Sequence, residues 1–380
     1  MKFNIFMLLV KFITSMLTFF SYLKISFAEI EITGYQEFFF GSVSQSYYKG
    51  KSNHGIDQAG MSNGTYSRLT AIYNEKLFNG IEVSGIYSLG VRDCMGDKTD
   101  NCEDASNENS LAFSGNFGVF SVGETASASS VMLSRLTAEA PLAEPDSANY
   151  QSFYSTDDEN NYGAANEVDY GSNAVKILWL SNVYNGLSFA LSYTPNSGEK
   201  GSGNNNGQRS TATNSTWGEY NDVLSFYSKY AIDYKGIGVE LVYGQQTGNA
   251  GIIGTNQYND LEENSYSIKF NYGNLSIDYR KNEADNSGQI KNNSAGNDEG
   301  ISICGIYTLI MTRIGFCNVH TNFTDINNLT NSSKLISNSI DYALSDNLKI
   351  GLLYFKHEQT ANGAIRTDAK GVMSSLTIDF

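Results

Sequence analysis

Side chains able to do covalent or acid–base chemistry are few in this 380-residue chain: three histidines, His54, His320 and His357, and four cysteines. The histidines fall near expected strand ends, where a surface hydrolase would carry its catalytic groups. No Gly-x-Ser-x-Gly elbow accompanies them, and no Asp–His pair stands out by spacing. They read as surface residues, and no enzyme is expected. The cysteine spacings match no zinc motif. In an oxidising compartment four cysteines suggest two disulfides. Cys94 and Cys102 share one expected loop. Cys304 and Cys317 lie symmetrically about a turn near Met311, as cross-strand neighbours. Beside the first pair, Asp97, Asp100, Glu103 and Asp104 offer hard oxygen ligands that could collect calcium, without EF-hand spacing.

Charge excludes further classes. Forty acidic against 25 basic side chains give a net charge of −15, the wrong sign for a partner rich in phosphate, so no nucleic acid is expected. With 17% charged and 41% hydrophobic residues, the chain is not disordered. No P-loop or Rossmann fingerprint interrupts it, so no nucleotide or other cofactor is expected beyond the calcium candidate. What remains is electrostatic chemistry, through the bases Arg68, Lys176, Lys229, Lys269, Arg280, Arg313 and Lys349. Whether they act together depends on the faces they occupy.

The elements begin with a leader. Residues 1–28 read as a signal peptide: Lys2 opens a positive region, Phe12 to Phe20 form a short apolar core, and Ser26-Phe27-Ala28 offers a cleavage site before Glu29. Without its three lysines, 22 bases face 40 acids, a net charge of −18. No later segment has the ~20 apolar residues of a spanning helix. Strict alternation takes over instead. Leu187, Phe189, Leu191 and Tyr193 alternate with Ser188, Ala190 and Ser192. The same pattern holds over 266–272, 275–280 and 339–344, and at the end over Val372, Leu376, Ile378 and Phe380. One greasy and one wet face is what a membrane-barrel strand requires. A soluble β-sandwich also alternates. Mid-strand charges (Lys269, Asp278, Arg280, Asp341) and tyrosines near strand ends favour the barrel. Pro141, Pro145 and Pro195 fall in expected loops, where they spare the ladder.

Tight turns are expected at Asn79-Gly80, Gly115-Asn116, Asn185-Gly186, Lys235-Gly236, Gly273-Asn274, Met311 and Asp346-Asn347, separated by long Asn/Gly/Ser-rich stretches. Seven short turns give eight hairpins and a 16-stranded antiparallel transmembrane β-barrel over 29–380. One connection is outsized, from about 124 to 170. It carries nine acids, among them Glu124, Glu139, Glu144 and Asp146, against the single base Arg135. Its Val131–Ala140 stretch could hold a turn or two of helix. The connection is either a solvated flap or a loop folded into the lumen.

Here the residues resemble a family. Gly115-Asn116-Phe117-Gly118-Val119-Phe120-Ser121-Val122-Gly123 resembles the fifth strand of general Gram-negative porins. Asn173 to Trp179 and Tyr184 to Tyr193 are similar to the two strands that follow. The terminal Phe380 resembles the aromatic residue that assembly machinery recognises. Glu124 departs from the family, since many relatives carry a base there. The resemblance implies a 16-stranded, usually trimeric channel with the third loop folded into the lumen. It places Arg68 and Lys176, on the second and sixth strands, opposite Glu139, Glu144 and Asp146 as the pore constriction. The other bases would be lumen charges.

The sequence therefore predicts an outer-membrane passive diffusion channel for small hydrophilic solutes and ions, weakly cation-preferring through its excess of acid. Its expected partners are copies of itself in a homotrimer, and the outer-membrane lipid and lipopolysaccharide around its wall. The competing readings are a non-conducting surface barrel serving as adhesin or structural platform, and a substrate-selective channel.

Overall fold

A computed structural model describes residues 29–47, 59–77, 80–92, 105–133, 174–197, 220–250, 252–253, 256–285, 287, 297–324, 330–361 and 364–380. The expected leader, 1–28, lies outside these residues, as do Pro141 and Pro145. The strands are β1 (Glu29–Tyr47), β2 (Ala59–Lys76), β3 (Glu82–Arg92), β4 (Ala105–Gly115), β5 (Gly118–Glu124), β6 (Val175–Leu180), β7 (Leu187–Asn196), β8 (Tyr220–Tyr234) and β9 (Ile237–Ala250). They continue with β10 (Ile252–Ile253), β11 (Asn256–Gln257), β12 (Leu261–Tyr272), β13 (Leu275–Asp285), β14 (Asn297–Leu309), β15 (Thr312–Thr324), β16 (Thr330–Ser345), β17 (Leu348–Ala361) and β18 (Ala364–Asp379). β10 and β11 pair only with each other. The other sixteen form one closed antiparallel barrel in chain order.

Closure follows from the alternation. In lipid every backbone N–H and C=O needs a partner within the protein, and only a sheet without edges supplies them all. The seam pairs β1 with β18 from Tyr35↔Asp379 to Tyr47↔Thr367. Beyond it, the Gly34 and Phe380 backbones exchange hydrogen bonds at 2.8 and 2.9 Å. Residues opposite one another share a face, so the register sorts each side chain. Tyr266, Ile268, Phe270 and Tyr272 stand exposed, while Ser265 and Ser267, on the opposite parity, are buried. The exposed set meets lipid and the alternate set faces the bore.

The seven tight turns gather at one end. Asn185 (φ 51°) with Gly186 (φ 84°), and Lys235 (φ 54°) with Gly236 (φ 80°), take the left-handed conformations of two-residue hairpins. At the turn near Met311 the left-handed residue is Ile310 (φ 50°), a β-branched side chain with no turn signature. The long connections all leave the opposite end.

One local expectation needs correction. Pro195 lies within β7, not in a loop. The β6–β7 ladder extends only to Ile177↔Tyr193, so at position 195 there is no β6 N–H···O=C bond for proline to break. In the long connection a helical turn, α1 (Ala128–Met132), overlaps the start of the expected Val131–Ala140 stretch, whose residues from 134 on lie outside the described residues. Its start is fixed by Ser127, whose Oγ accepts the Ser130 N–H at 3.2 Å.

Candidate functional site

The inward faces carry the charge. Arg68 on β2 stands opposite Tyr35 and Gly90, and Lys229 on β8 opposite Ser188 and Val242. Lys269 on β12 lies between Glu240 of β9 and Asp278 of β13. Asp278 accepts from Arg280 Nε at 2.9 Å and from Ser267 Oγ at 3.1 Å. Further round the wall, Arg313 Nε donates to Asp341 at 2.6 Å and Lys349 Nζ to Asp379 at 2.8 Å. Every such pair holds one base and one acid on neighbouring positions, so the bore presents alternating sign rather than a block of either.

Lys176 is placed differently. Only 1% exposed, its Nζ donates to the carbonyls of Thr125 (2.5 Å) and Ala174 (2.9 Å), the two ends of the long connection. The ammonium thus clasps both stems. Just beyond Thr125, α1 lies on the inner wall. Ala128, Met132 and Leu133 pack with Leu178, Ala190, Tyr227 and Val242, all inward-facing positions of β6 to β9. The Ala128 N–H donates to Ser192 Oγ at 3.1 Å, anchoring the helix start to β7. Glu139, Glu144 and Asp146, expected opposite Arg68 and Lys176, lie outside the described residues. An acid within electrostatic reach of both bases is Glu108 on β4. Sequence reading missed it, although it has the inward parity of Ser110 and Ala112. Glu124, which departs from the family pattern, pairs with Asn109 and Val175 on the outward parity.

Two inner-wall features were not expected. Part of the inward side of β14 to β18 and β1 is apolar. Phe39, Val43, Ile306, Val319, Leu335, Leu353, Phe355 and Met373 join the Cys304–Cys317 disulfide in one buried cluster. Where such a strand is apolar on both faces, as in Leu352-Leu353-Tyr354-Phe355, the alternation is hidden. Glycines let these side chains lie flat. A Cβ at Gly41 would meet Met373 at 2.7 Å, and one at Gly371 would meet Phe355 at 2.9 Å. Across β8, β9 and β12 runs a buried polar network instead. Gln246 Nε2 donates to Glu263 at 2.8 Å, Ser265 Oγ to Glu263 at 3.0 Å, and Ser225 Oγ to Gln246 at 2.9 Å.

Of the remaining candidates, Cys304 and Cys317 face each other across β14 and β15 and are bonded. Cys94 and Cys102, with Asp97, Asp100, Glu103 and Asp104, lie outside the described residues, as does His54. Among the described residues, no three His, Cys, Asp or Glu side chains group to hold a metal ion. His357 is not at the surface. It is buried on the inward face of β17, its Nε2 sharing a hydrogen bond of 2.7 Å with Ser333 Oγ. His320 points outward, opposite Lys334.

A closed cylinder with a greasy exterior and charges of both signs inside is the wall of a membrane channel. The family described as Gram-negative porin matches residues 15–362, and the chain belongs to that family. It is an outer-membrane porin, and solved outer-membrane proteins share its fold. The channel DcaP of Acinetobacter baumannii superposes with a TM-score of 0.63 at 12% identity, covering 93% of this chain and 97% of that one. The anion-selective porin from Comamonas acidovorans gives 0.62 at 14%, covering 93% and 100%. In-vitro folded OmpT of Vibrio cholerae, in its trimer form, gives 0.55 at 12%, covering 93% and 99%. No curated protein matches the chain.

Proposed function

We propose that the bore is a water-filled path for passive diffusion of small hydrophilic solutes and ions, weakly preferring cations. The observation that carries this is the inner wall itself. Bases and acids alternate along it in ion pairs that an ion can cross without meeting a single-sign barrier. The preference for cations is supported by the nine acids against one base over 124–170, whose mean field concentrates cations at the mouth. The constriction is formed by Arg68 and by the connection of 124–170, with its acids Glu139, Glu144 and Asp146. Lys176 acts there as the clasp at the base of the connection. Residues 1–28 are removed on export, leaving 29–380 as the barrel. The protein works as a homotrimer in contact with outer-membrane lipid and lipopolysaccharide, needs no cofactor and catalyses no reaction. OmpT, solved as a trimer, supports the assembly.

Planar-bilayer recording tests the proposal. Steady open steps are expected, with a reversal potential in a salt gradient displaced toward the cation value. An absence of steps overturns the channel, and an anion-side potential overturns the selectivity. The apolar patch of the inner wall favours a second reading, a channel selective for solutes with an apolar side. In liposome swelling, aromatic or alkyl glycosides entering faster than sugars of equal mass would support it.

A further inference from the structure

Three inward charges lie on alternate strands at one side of the bore: Arg68 on β2, Glu108 on β4 and Lys176 on β6. The register shows what stands between them. Gly90 of β3 lies opposite Arg68, and Ser88, the next inward position of β3, lies opposite Thr70 and Glu108. On the other side, Ser110 of β4 lies opposite Gly123 of β5, and Gly123 opposite Lys176. Each base therefore has a glycine beside it on the strand that separates it from β4. Gly123 is fixed in that role. Its φ is 124°, and a Cβ there would collide with the Asn109 carbonyl oxygen. With no side chain at either glycine, the Glu108 carboxylate comes within electrostatic reach of both bases, and it is hydrogen-bonded to Ser110.

The charges of this arc differ in what they offer a solute. Lys176 is 1% exposed and commits its ammonium to the Thr125 and Ala174 carbonyls. At the other flank Glu37 of β1, one inward position from Tyr35 and Arg68, is 5% exposed. Both lie out of a solute's reach. Between them Arg68 and Glu108 are half-buried, one base and one acid, and Arg68 Nε has no hydrogen-bond partner. Elsewhere on the wall, bases and acids are locked together, Arg280 with Asp278 and Arg313 with Asp341. Here the acid stands apart from the base, so the sign an ion meets turns on a single carboxylate. In a wall of low dielectric such a near charge is focused into the bore.

We infer that Glu108 is a specificity-determining residue of the pore: standing between Arg68 and Lys176 beside the stems of the long connection, it offsets the wall bases and keeps this side of the bore passable to cations. The inference rests on the conducting, cation-preferring reading and names a side chain behind that preference.

Planar-bilayer recording of the folded full-length protein in a potassium chloride gradient tests it. A unit charge about 5 Å from a passing ion changes the local ion concentration about twofold in ~0.1 M salt. Cations and anions respond oppositely, so Glu108→Gln is expected to lower the cation-to-anion permeability ratio about fourfold and to move the reversal potential toward the anion side. Glu108→Asp keeps the charge and is expected to keep the ratio. Arg68→Gln is expected to raise the ratio about fourfold, and it decides the matter should the Glu108→Gln protein fail to fold. A carboxylate needed only for folding would change the number of channels and not their ratio. An unmoved ratio in either neutral variant, or an equal fall in Glu108→Asp, overturns the inference. Absence of open steps in the wild type is failure of the channel reading, whereas open steps with an unmoved ratio are failure of this residue's role alone.

Discussion

Ile310 holds a left-handed backbone (φ 50°) while its side chain is 98% exposed. That conformation costs a side-chain-bearing residue about 1–2 kcal/mol, and little packing offsets it here. Ile310→Gly is therefore expected to raise the unfolding midpoint in urea, by about 1 kcal/mol once the entropy of glycine is set against the relief. Lys176 behaves oppositely. Lys176→Met keeps the stem but leaves the Thr125 and Ala174 carbonyls without their donor, and each orphaned buried acceptor costs about 1–3 kcal/mol. Heat-modified gel mobility should show its barrel opening at lower temperature. If the two stems were held by backbone contacts alone, the midpoint would not move.

At the scale of the strand, depth in the membrane decides cost. Ile268 lies mid-strand on the lipid side of β12, and Glu262 on the same side near the outer end. Ile268→Arg is expected to cost about 2–4 kcal/mol of folding stability in bilayers, and Glu262→Arg about 0–1. Equal costs would mean that the band does not lie where the exposed residues put it. The disulfide joins neighbours already held by the β14–β15 ladder. Reduction should therefore lower the unfolding midpoint by less than the ~3 kcal/mol typical of a loop this size, and leave conductance unchanged. These elements were legible in sequence where one face was apolar and the other polar, as in 187–193 and 266–272. Turns such as Asn185-Gly186 and Lys235-Gly236 were legible too, because these dipeptides mark left-handed backbone, whereas the turn at Ile310 carries no such mark. Legibility failed where both faces are apolar, as in 352–355, since period 2 then has no contrast. It failed again at Glu108, a single acid whose partners sit on β2 and on β6. Such a site is assembled by register between distant strands, and nothing adjacent in the chain announces it.

For the whole molecule, selectivity is a property of summed charge. The screening length falls from about 10 Å in 0.1 M salt to ~3 Å in 1 M, so the expected cation preference should shrink steeply between those concentrations in bilayer recordings. A preference that survives 1 M salt would locate selectivity in a close-contact filter instead of the mean field. The seam where Gly34 and Phe380 exchange their backbone hydrogen bonds has its own implication. The first strand cannot be sealed until the last has been delivered, so every shorter intermediate carries two raw margins. Such a half-built sheet has nowhere to rest in oil, and insertion must therefore be a single concerted event, finishing where the chain meets its own beginning.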